Sequence, residues 1–196
     1  MALRLTLIAH GATTATRLAA FPRDEPLEDR AIRRATALRR RLGRADRILT
    51  GPALRARQTA DVLGLAAEID DELRDCDFGR WTGLRLVELA VAEPEGLAAW
   101  LSDPDAVVHG GESITAVVQR VAAWLDLQAA GAAERVIAVT HASVIRATVL
   151  HAIAAPASSF WRIDVAPLSR TELVAHGGRW TLRSITPGAE DSGPAP

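Results

Sequence analysis

Two histidines, each at the end of an apolar run, are the residues of this sequence best suited to chemistry. His10 closes "LRLTLIAH" and precedes Gly11, whereas His141 closes "RVIAVTH". A free imidazole has a pKa of about 6.5, so near pH 7 it is a nucleophile or a hydrogen-bonding group. One histidine at a strand end is more often structural than catalytic. Two in the same setting indicate a shared site.

Arg55 in "GPALRARQTA" and Asp75 in "LRDCDFGRWTG" are the other candidates. Taken alone, an arginine on a polar helix face is usually solvated, and an aspartate in a glycine-containing loop is usually a turn residue. A guanidinium, however, can bind two oxygen atoms of one anionic group at once.

The elements that must position these residues alternate between strands and helices. Short apolar runs predict strands at 3–8, 47–50 and 135–140, and the segments 170–176 and 179–185 around two glycines predict a hairpin. Helices are expected at 27–42, 52–65, 114–129 and 142–151, with one or two short helices within 84–102. This order predicts an α/β fold with a mostly parallel sheet, helices on both faces, and ligands at the carboxyl edge.

Five motifs follow one another in a recognisable order: "HG", "GPALRARQTA", "LRDCDFGRWTG", "GGES" and "VTHASVIRA". Together they resemble branch 1 of the histidine phosphatase superfamily, the phosphoglycerate mutase-like branch, over about Leu3 to Arg183. The resemblance implies a three-layer α/β/α sandwich with a mostly parallel central sheet. It also implies phosphoryl transfer through a phosphohistidine. A phosphate monoester dianion repels nucleophiles, so this transfer requires cations and N–H donors around the phosphate oxygens and an in-line nucleophile.

The resemblance also implies roles for individual residues. His10 would be the nucleophile, Arg55 would clamp the phosphate, and His141 would donate hydrogen bonds to it. Asp75 stands where the family usually has the glutamate proposed as general acid, and its side chain is one methylene shorter. Further phosphate contacts are expected at Gly11, Thr16, Arg17 and the backbone N–H of Ala142.

The first motif departs from the family pattern, because Ala9 stands where the family usually has an arginine. The loss of such a charge-assisted donor costs about 2–4 kcal/mol of transition-state stabilisation. Thr16 and Gly51 also replace the usual asparagine and serine. Three explanations remain open: Arg17 or Arg23 replaces the lost charge, the substrate carries less charge than a monoester dianion, or the protein binds an anion with little turnover.

The short chain and the "LRDCDFGRWTGL" motif favour a phosphatase over a mutase. We therefore expect hydrolysis of a small phosphorylated metabolite, such as a sugar phosphate, a nucleotide or a cofactor precursor. The alternative is a degenerate or altered-chemistry member that binds a phosphorylated or anionic ligand. Substrate contacts are expected within 84–112, although His109 is interpreted as a surface residue and Arg146 as a structural one.

Composition and charge limit the remaining function classes. The 196 residues carry a formal net charge of -1, which gives no electrostatic support for nucleic-acid or membrane binding. Cys76 is the only cysteine, and no secretory leader or membrane span is recognised, so a cytoplasmic location is expected. We expect one domain at 1–186, a disordered tail at 187–196, and no metal or cofactor. The terminal hairpin offers an edge for a homodimer.

Overall fold

A computed structural model describes residues 2–188, in which one sheet carries helices on both faces. The strands are β1 (Leu3–Ala9), β2 (Arg47–Thr50), β3 (Glu68–Ile69), β4 (Arg135–Thr140), β5 (Arg170–His176) and β6 (Arg179–Thr186). The helices are α1 (Thr14–Leu18), α2 (Asp29–Leu38), α3 (Leu54–Leu63), α4 (Leu86–Ala92), α5 (Pro94–Ser102), α6 (Ile114–Ala130) and α7 (Ala142–Ala152). Short 3₁₀ turns occupy Arg39–Arg41, Asp71–Leu73, Gly79–Trp81 and Ala157–Arg162.

The strand order, β3-β2-β4-β1-β5-β6, explains why the two histidines meet. Strands β3, β2, β4 and β1 are parallel neighbours, whereas β5 and β6 are antiparallel additions. Ala9 of β1 is paired with Thr140 of β4, so the next residues of both strands, His10 and His141, leave the sheet at the same edge. The His10 N–H donates to the Thr140 carbonyl at 2.9 Å, which keeps the two strand ends aligned.

Apolar cores lie on both sides of this sheet. One contains α6 and α7 residues, including Val121 and Ile145, together with alternate β1 residues such as Leu5 and Leu7. The other contains α2 and α3 residues with Ile8 of β1. Because successive side chains of a strand point to opposite faces, one buried strand supplies both cores. The predicted α/β/α sandwich is therefore confirmed.

A third apolar cluster lies outside the sheet and joins distant parts of the chain. Phe21, Trp81, Leu89 and Trp100 are its buried members. Leu89 and Trp100 belong to α4 and α5, so the region 84–102 forms the two short helices expected of it. These helices supply part of the wall of the cavity described below.

Most predicted elements are confirmed. The differences are the bounds of two helices and two short elements that were not predicted. The helix expected over 27–42 covers only Asp29–Leu38 and then continues as a 3₁₀ turn. The helix expected from Pro52 begins at Leu54. The five-residue α1 has no buried residue, and the exposed β3 has only two residues, so neither leaves an apolar pattern to detect.

The sequence predicts one domain at 1–186 followed by a tail. We retain residues 1–186 as one domain as a proposal, supported by the single sheet that holds all named strands of the described residues. The predicted disordered tail, 187–196, lies outside the described residues except for its first two positions. Over residues 2–188 there is no helix with the length and apolarity that a bilayer crossing requires.

Candidate active site

His10 is held at the sheet edge in one tautomer. Its Nδ1–H donates to the Gly11 carbonyl at 2.8 Å, and because a carbonyl can only accept, Nε2 keeps its lone pair. The Gly11 N–H in turn donates to Thr59 Oγ1 of α3 at 3.0 Å. Burial, and next the neighbouring His141 and Arg55, lower the pKa of His10 to about 3. The ring is therefore uncharged at neutral pH.

His141 lies beside this ring at the base of α7. The two ring centroids are 5.1 Å apart at an angle of 62°. His141 is completely buried, and its Nδ1 lies 3.3 Å from Asp75 Oδ2. Among the described residues, neither ring nitrogen has a hydrogen-bond partner of good geometry. Buried polar atoms are normally satisfied, so this ring is prepared for a further polar group.

Asp75 connects Arg55 to the start of α7. Its Oδ2 accepts from Arg55 Nη2 at 2.8 Å, and its Oδ1 accepts from Ser143 Oγ at 2.5 Å and from the Cys76 N–H at 2.9 Å. Burial opposes ionisation of this carboxyl, but His141, Arg55 and Ser143 outweigh it and hold the pKa of Asp75 well below its usual range. Asp75 is therefore a carboxylate in the free protein.

Arg55 projects from the first turn of α3 and is buried. Besides its contact with Asp75, it donates from Nη1 to the Arg23 carbonyl at 2.8 Å. Its Nε is buried and has no partner among the described residues. A guanidinium with an unused donor beside two histidines is a binding group for an anion.

A cavity of about 760 Å³ opens from these residues. Of the predicted site residues, His10, Thr16, Asp75 and Ala142 line it. Ala142 is the first residue of α7, where the first N–H groups have no acceptor within the helix and favour an anion. Arg55 and His141 lie just behind this lining and complete the cluster through Asp75.

Three arginine and glycine candidates lie elsewhere. Gly11 does not line the cavity, and its backbone instead orients His10. Arg17 is exposed and pairs with Glu28, with Nε and Oε1 2.9 Å apart. Arg23 is also exposed, and its guanidinium lies against Gly83. Neither arginine therefore fills the place left by Ala9, which itself lines the cavity.

Two residues of the site escaped the sequence analysis. Ser143 binds Asp75, and Thr59 links Gly11 to the Arg55 carbonyl, which its Oγ1 approaches to 2.7 Å. Both lie within motifs that the sequence analysis quoted, two residues after His141 and four residues after Arg55. For Thr59 the i+4 spacing from Arg55 was an available signal, because such positions share one helix face. For Ser143 no spacing within its own segment indicated the contact, because its partner Asp75 is 68 residues away.

Two further interpretations are revised by the structure. His109 is buried, not on the surface, because its ring packs 5.2 Å from Trp81 and its Nδ1 accepts from the Gly111 N–H at 2.9 Å. It does not line the cavity. Arg146 does line it, and its guanidinium lies over the ring of Trp161 at 5.3 Å.

Comparison with known proteins agrees with this geometry. The family model "Histidine phosphatase superfamily (branch 1)" matches residues 5–186. The chain is 30% identical to the adenosylcobalamin/α-ribazole phosphatase of Salmonella typhimurium over 173 residues, which are 83% of this chain and 86% of that protein. It is 31% identical to the bifunctional protein Rv2228c of Mycobacterium tuberculosis over 186 residues, covering 89% of this chain. The chain spans about half the length of that relative, 51%.

A solved structure extends the agreement from sequence to fold. The putative α-ribazole-5′-P phosphatase of Escherichia coli superposes with a TM-score of 0.85 at 27% identity, over 97% of this chain and all of that one. The paired histidines, the buried arginine behind them and the match over residues 5–186 agree with one another. The chain belongs to branch 1 of the histidine phosphatase superfamily.

Proposed function

We propose that this protein is a phosphoric monoester hydrolase that acts on a small phosphorylated metabolite through a phosphohistidine on His10. The observation that carries the proposal is the cluster at the end of the cavity. There, a neutral His10 lies beside buried His141 and Arg55, which retain polar atoms without partners. The family and the phosphatase names of its relatives support the same reaction.

In the first step, the Nε2 lone pair of His10 attacks phosphorus in line with the leaving oxygen. The N–P bond forms as the P–O bond to the leaving group breaks. Arg55, His141 and the Ala142 N–H would stabilise the charge on the equatorial oxygens. The Nδ1–H bond to Gly11 lets the ring carry positive charge without losing its orientation.

The leaving oxygen requires a proton, and Asp75 is the carboxyl nearest to this cluster. It is ionised in the free protein. A phosphate bound alongside would raise the pKa of Asp75 through like-charge repulsion, so that Asp75 could take the proton of a monoester monoanion. It would pass that proton to the leaving group. In the second step, Asp75 accepts a proton from water as the water oxygen attacks phosphorus and the N–P bond breaks.

A second candidate, an anion-binding protein with little turnover, is favoured by two observations. Ala9 supplies no charge to the cavity, and Asp75 already occupies a donor of Arg55. An internal carboxylate on the clamping arginine competes with a substrate phosphate for that donor.

Hydrolysis of p-nitrophenyl phosphate between pH 4 and 8 separates the two candidates. We expect turnover by the wild type and none by His10→Ala. The two proteins should have the same free energy of unfolding without ligand, which controls for folding. The binding candidate predicts no turnover by either protein and retained phosphate binding by the wild type.

Ala9→Arg tests whether the first motif is merely weakened. Restored charge should raise kcat/KM for p-nitrophenyl phosphate by about tenfold or more, since such a donor contributes about 2–4 kcal/mol. Ala9→Met has comparable length without charge and should give no increase. A fall in activity with both variants would mean that the space beside Ala9 is needed by the substrate.

The cellular setting forms a further part of the proposal. The lone, buried Cys76 supports a reducing cytoplasmic location, since it offers no intramolecular disulfide. The even charge balance supports a small-molecule substrate over nucleic acid or a membrane. The edge strand β6 supports pairing with a second copy, which light scattering on the purified protein would test.

A further inference from the structure

Away from the end that contains His10 and Asp75, the cavity is lined by apolar and aromatic side chains. Phe21, Phe78, Trp100 and Trp161 form a continuous aromatic surface, with Trp100 and Trp161 centroids 4.3 Å apart and Phe21 and Phe78 centroids 4.9 Å apart. Val87 of α4 and Leu101 of α5 line the cavity while remaining about half exposed, at 60% and 48%. They therefore belong to its mouth.

Apart from Arg146, described next, the polar side chains in this part of the wall are already engaged. Thr13 and Thr16 bind each other's backbone N–H as the cap of α1, and Thr13 Oγ1 also donates to Glu25. Cys76 Sγ faces the backbone carbonyls of Asp77 and Glu112. Among the described lining residues these side chains leave few donors or acceptors for a polar leaving group.

Arg146 extends the aromatic surface. Its Nε donates to the Ile163 carbonyl at 2.8 Å, which fixes the guanidinium plane. The guanidinium carbon lies 5.6 Å from the Phe160 centroid and 5.3 Å from that of Trp161. A planar cation held against rings favours stacking with another flat group.

We propose that the substrate is a phosphate monoester whose leaving alcohol carries a flat apolar or aromatic group, which this cavity encloses. The inference rests on the proposed function and specifies its substrate class. A sugar would leave hydroxyls unpaired against the apolar wall, and an amino acid would leave its ammonium group unpaired, and unpaired buried polar groups are penalised heavily. An aromatic group instead removes apolar surface from water on both sides.

The test compares 2-phenylethyl phosphate with glycerol 3-phosphate. Both leaving groups are primary alcohols, so chemical reactivity differs little between them, unlike that of an aryl phosphate. We expect kcat/KM to be at least about tenfold higher for 2-phenylethyl phosphate. Equal values, or a preference for glycerol 3-phosphate, would overturn the inference while leaving the phosphatase proposal intact.

A matched pair of variants on α4 assigns the preference to the cavity. Val87 lines the mouth, whereas Val91, one turn further along, is 83% exposed and does not line it. Val87→Ser should reduce the preference for 2-phenylethyl phosphate by about threefold or more, and Val91→Ser should leave both rates unchanged. The same change in both variants would contradict the assignment.

Absence of turnover on both esters would refute the proposed function, and calorimetric binding of the two esters would then test the ligand preference of the cavity on its own. At least tenfold tighter binding of 2-phenylethyl phosphate by the wild type, reduced in Val87→Ser only, would sustain it. Equal affinities would reject both proposals.

Discussion

At the scale of single residues, the chemistry of the site depends on the protonation states of His10 and Asp75. The Gly11 carbonyl keeps the proton of His10 on Nδ1, and burial keeps the ring neutral. Asp75 stays ionised because Arg55, His141 and Ser143 surround it. With His10 neutral and Asp75 ionised in the free protein, the proposed hydrolysis must take the proton for the leaving oxygen from the bound substrate.

Asp75→Asn tests the proton-transfer role through the leaving group. If Asp75 protonates the leaving oxygen, kcat/KM for 2-phenylethyl phosphate should fall by about 10²-fold or more, and by less for p-nitrophenyl phosphate, whose leaving group needs no proton. Asp75→Glu, which keeps the acid, should retain most of the activity on both esters. An equal fall on both esters in Asp75→Asn would assign Asp75 a positioning role only.

The lowered pKa of His10 predicts a pH-dependent stability. Between pH 6.5 and about 3 the unfolded chain binds a proton at this ring that the folded protein does not, so stability falls as the pH falls through this window. Asp75 adds to the loss only below its unfolded pKa near 3.8. His10→Gln should therefore show a shallower decline between pH 6.5 and 4.5 in urea unfolding.

The exposed His176 provides the control for that measurement. His176→Gln should follow the wild-type curve, because its ring lies on the surface. Parallel slopes in His10→Gln and the wild type would contradict the lowered pKa of His10.

At the scale of elements, two loops that are distant in sequence hold Asp75 in place. The Glu112 N–H donates to the Asp77 carbonyl at 2.8 Å, and the Arg80 N–H donates to the His109 carbonyl at 3.0 Å. Gly111 allows this close approach, since a Cβ there would lie 2.1 Å from the Asp77 carbonyl oxygen. The "GGES" motif thus acts through backbone packing against the Asp75 loop.

Gly111→Ala should lower the free energy of unfolding by about 2 kcal/mol or more, because backbone atoms cannot yield as a flexible side chain can. It should also reduce kcat by displacing Asp75. Gly43→Ala is the control: nothing lies within 4 Å of a Cβ there, so its stability should change by less than about 1 kcal/mol. Equal stability of the two variants in urea titrations would show that the loops separate without cost.

At the scale of the whole molecule, the cavity brings together segments from both halves of the chain. The cavity is lined from β1, α4, α5, α7 and the turn at Ala157–Arg162, so an occupant links elements that a single motif does not. A ligand that binds only the folded state stabilises it by mass action. The free energy of unfolding therefore reports on ligand binding at the end of the cavity that contains His10 and Asp75.

Vanadate, a phosphate analogue that can bond to a histidine nitrogen, should raise the Tm of the wild type. At a hundredfold excess over Kd, the gain is about 2.7 kcal/mol, or roughly 5–10 °C for a chain of this size. His10→Ala should lose most of this shift, and sulfate at equal ionic strength should give little. A shift of the same size in His10→Ala would place the vanadate away from His10.

The sequence by itself determined most of the elements and the identity of the catalytic candidates. Apolar runs ending in His10 and His141 specify buried strands. The carboxyl ends of parallel strands lie at one edge of the sheet, regardless of the conformation of the connecting loops. The quoted motifs were sufficient to indicate the family and to select Arg55 and Asp75. These signals are local, since each depends on residues a few positions apart.

Tertiary structure alone decided how those residues interact. Arg17 had the right charge for the place of Ala9, but its nearest carboxylate is Glu28, eleven residues away. His109 was predicted to be a surface residue, but it is buried because its ring packs against Trp81 of the aromatic cluster. The apolar cavity and the engagement of Asp75 by Arg55 and Ser143 depend on contacts between segments that only folding brings together, and no spacing within one segment encodes them.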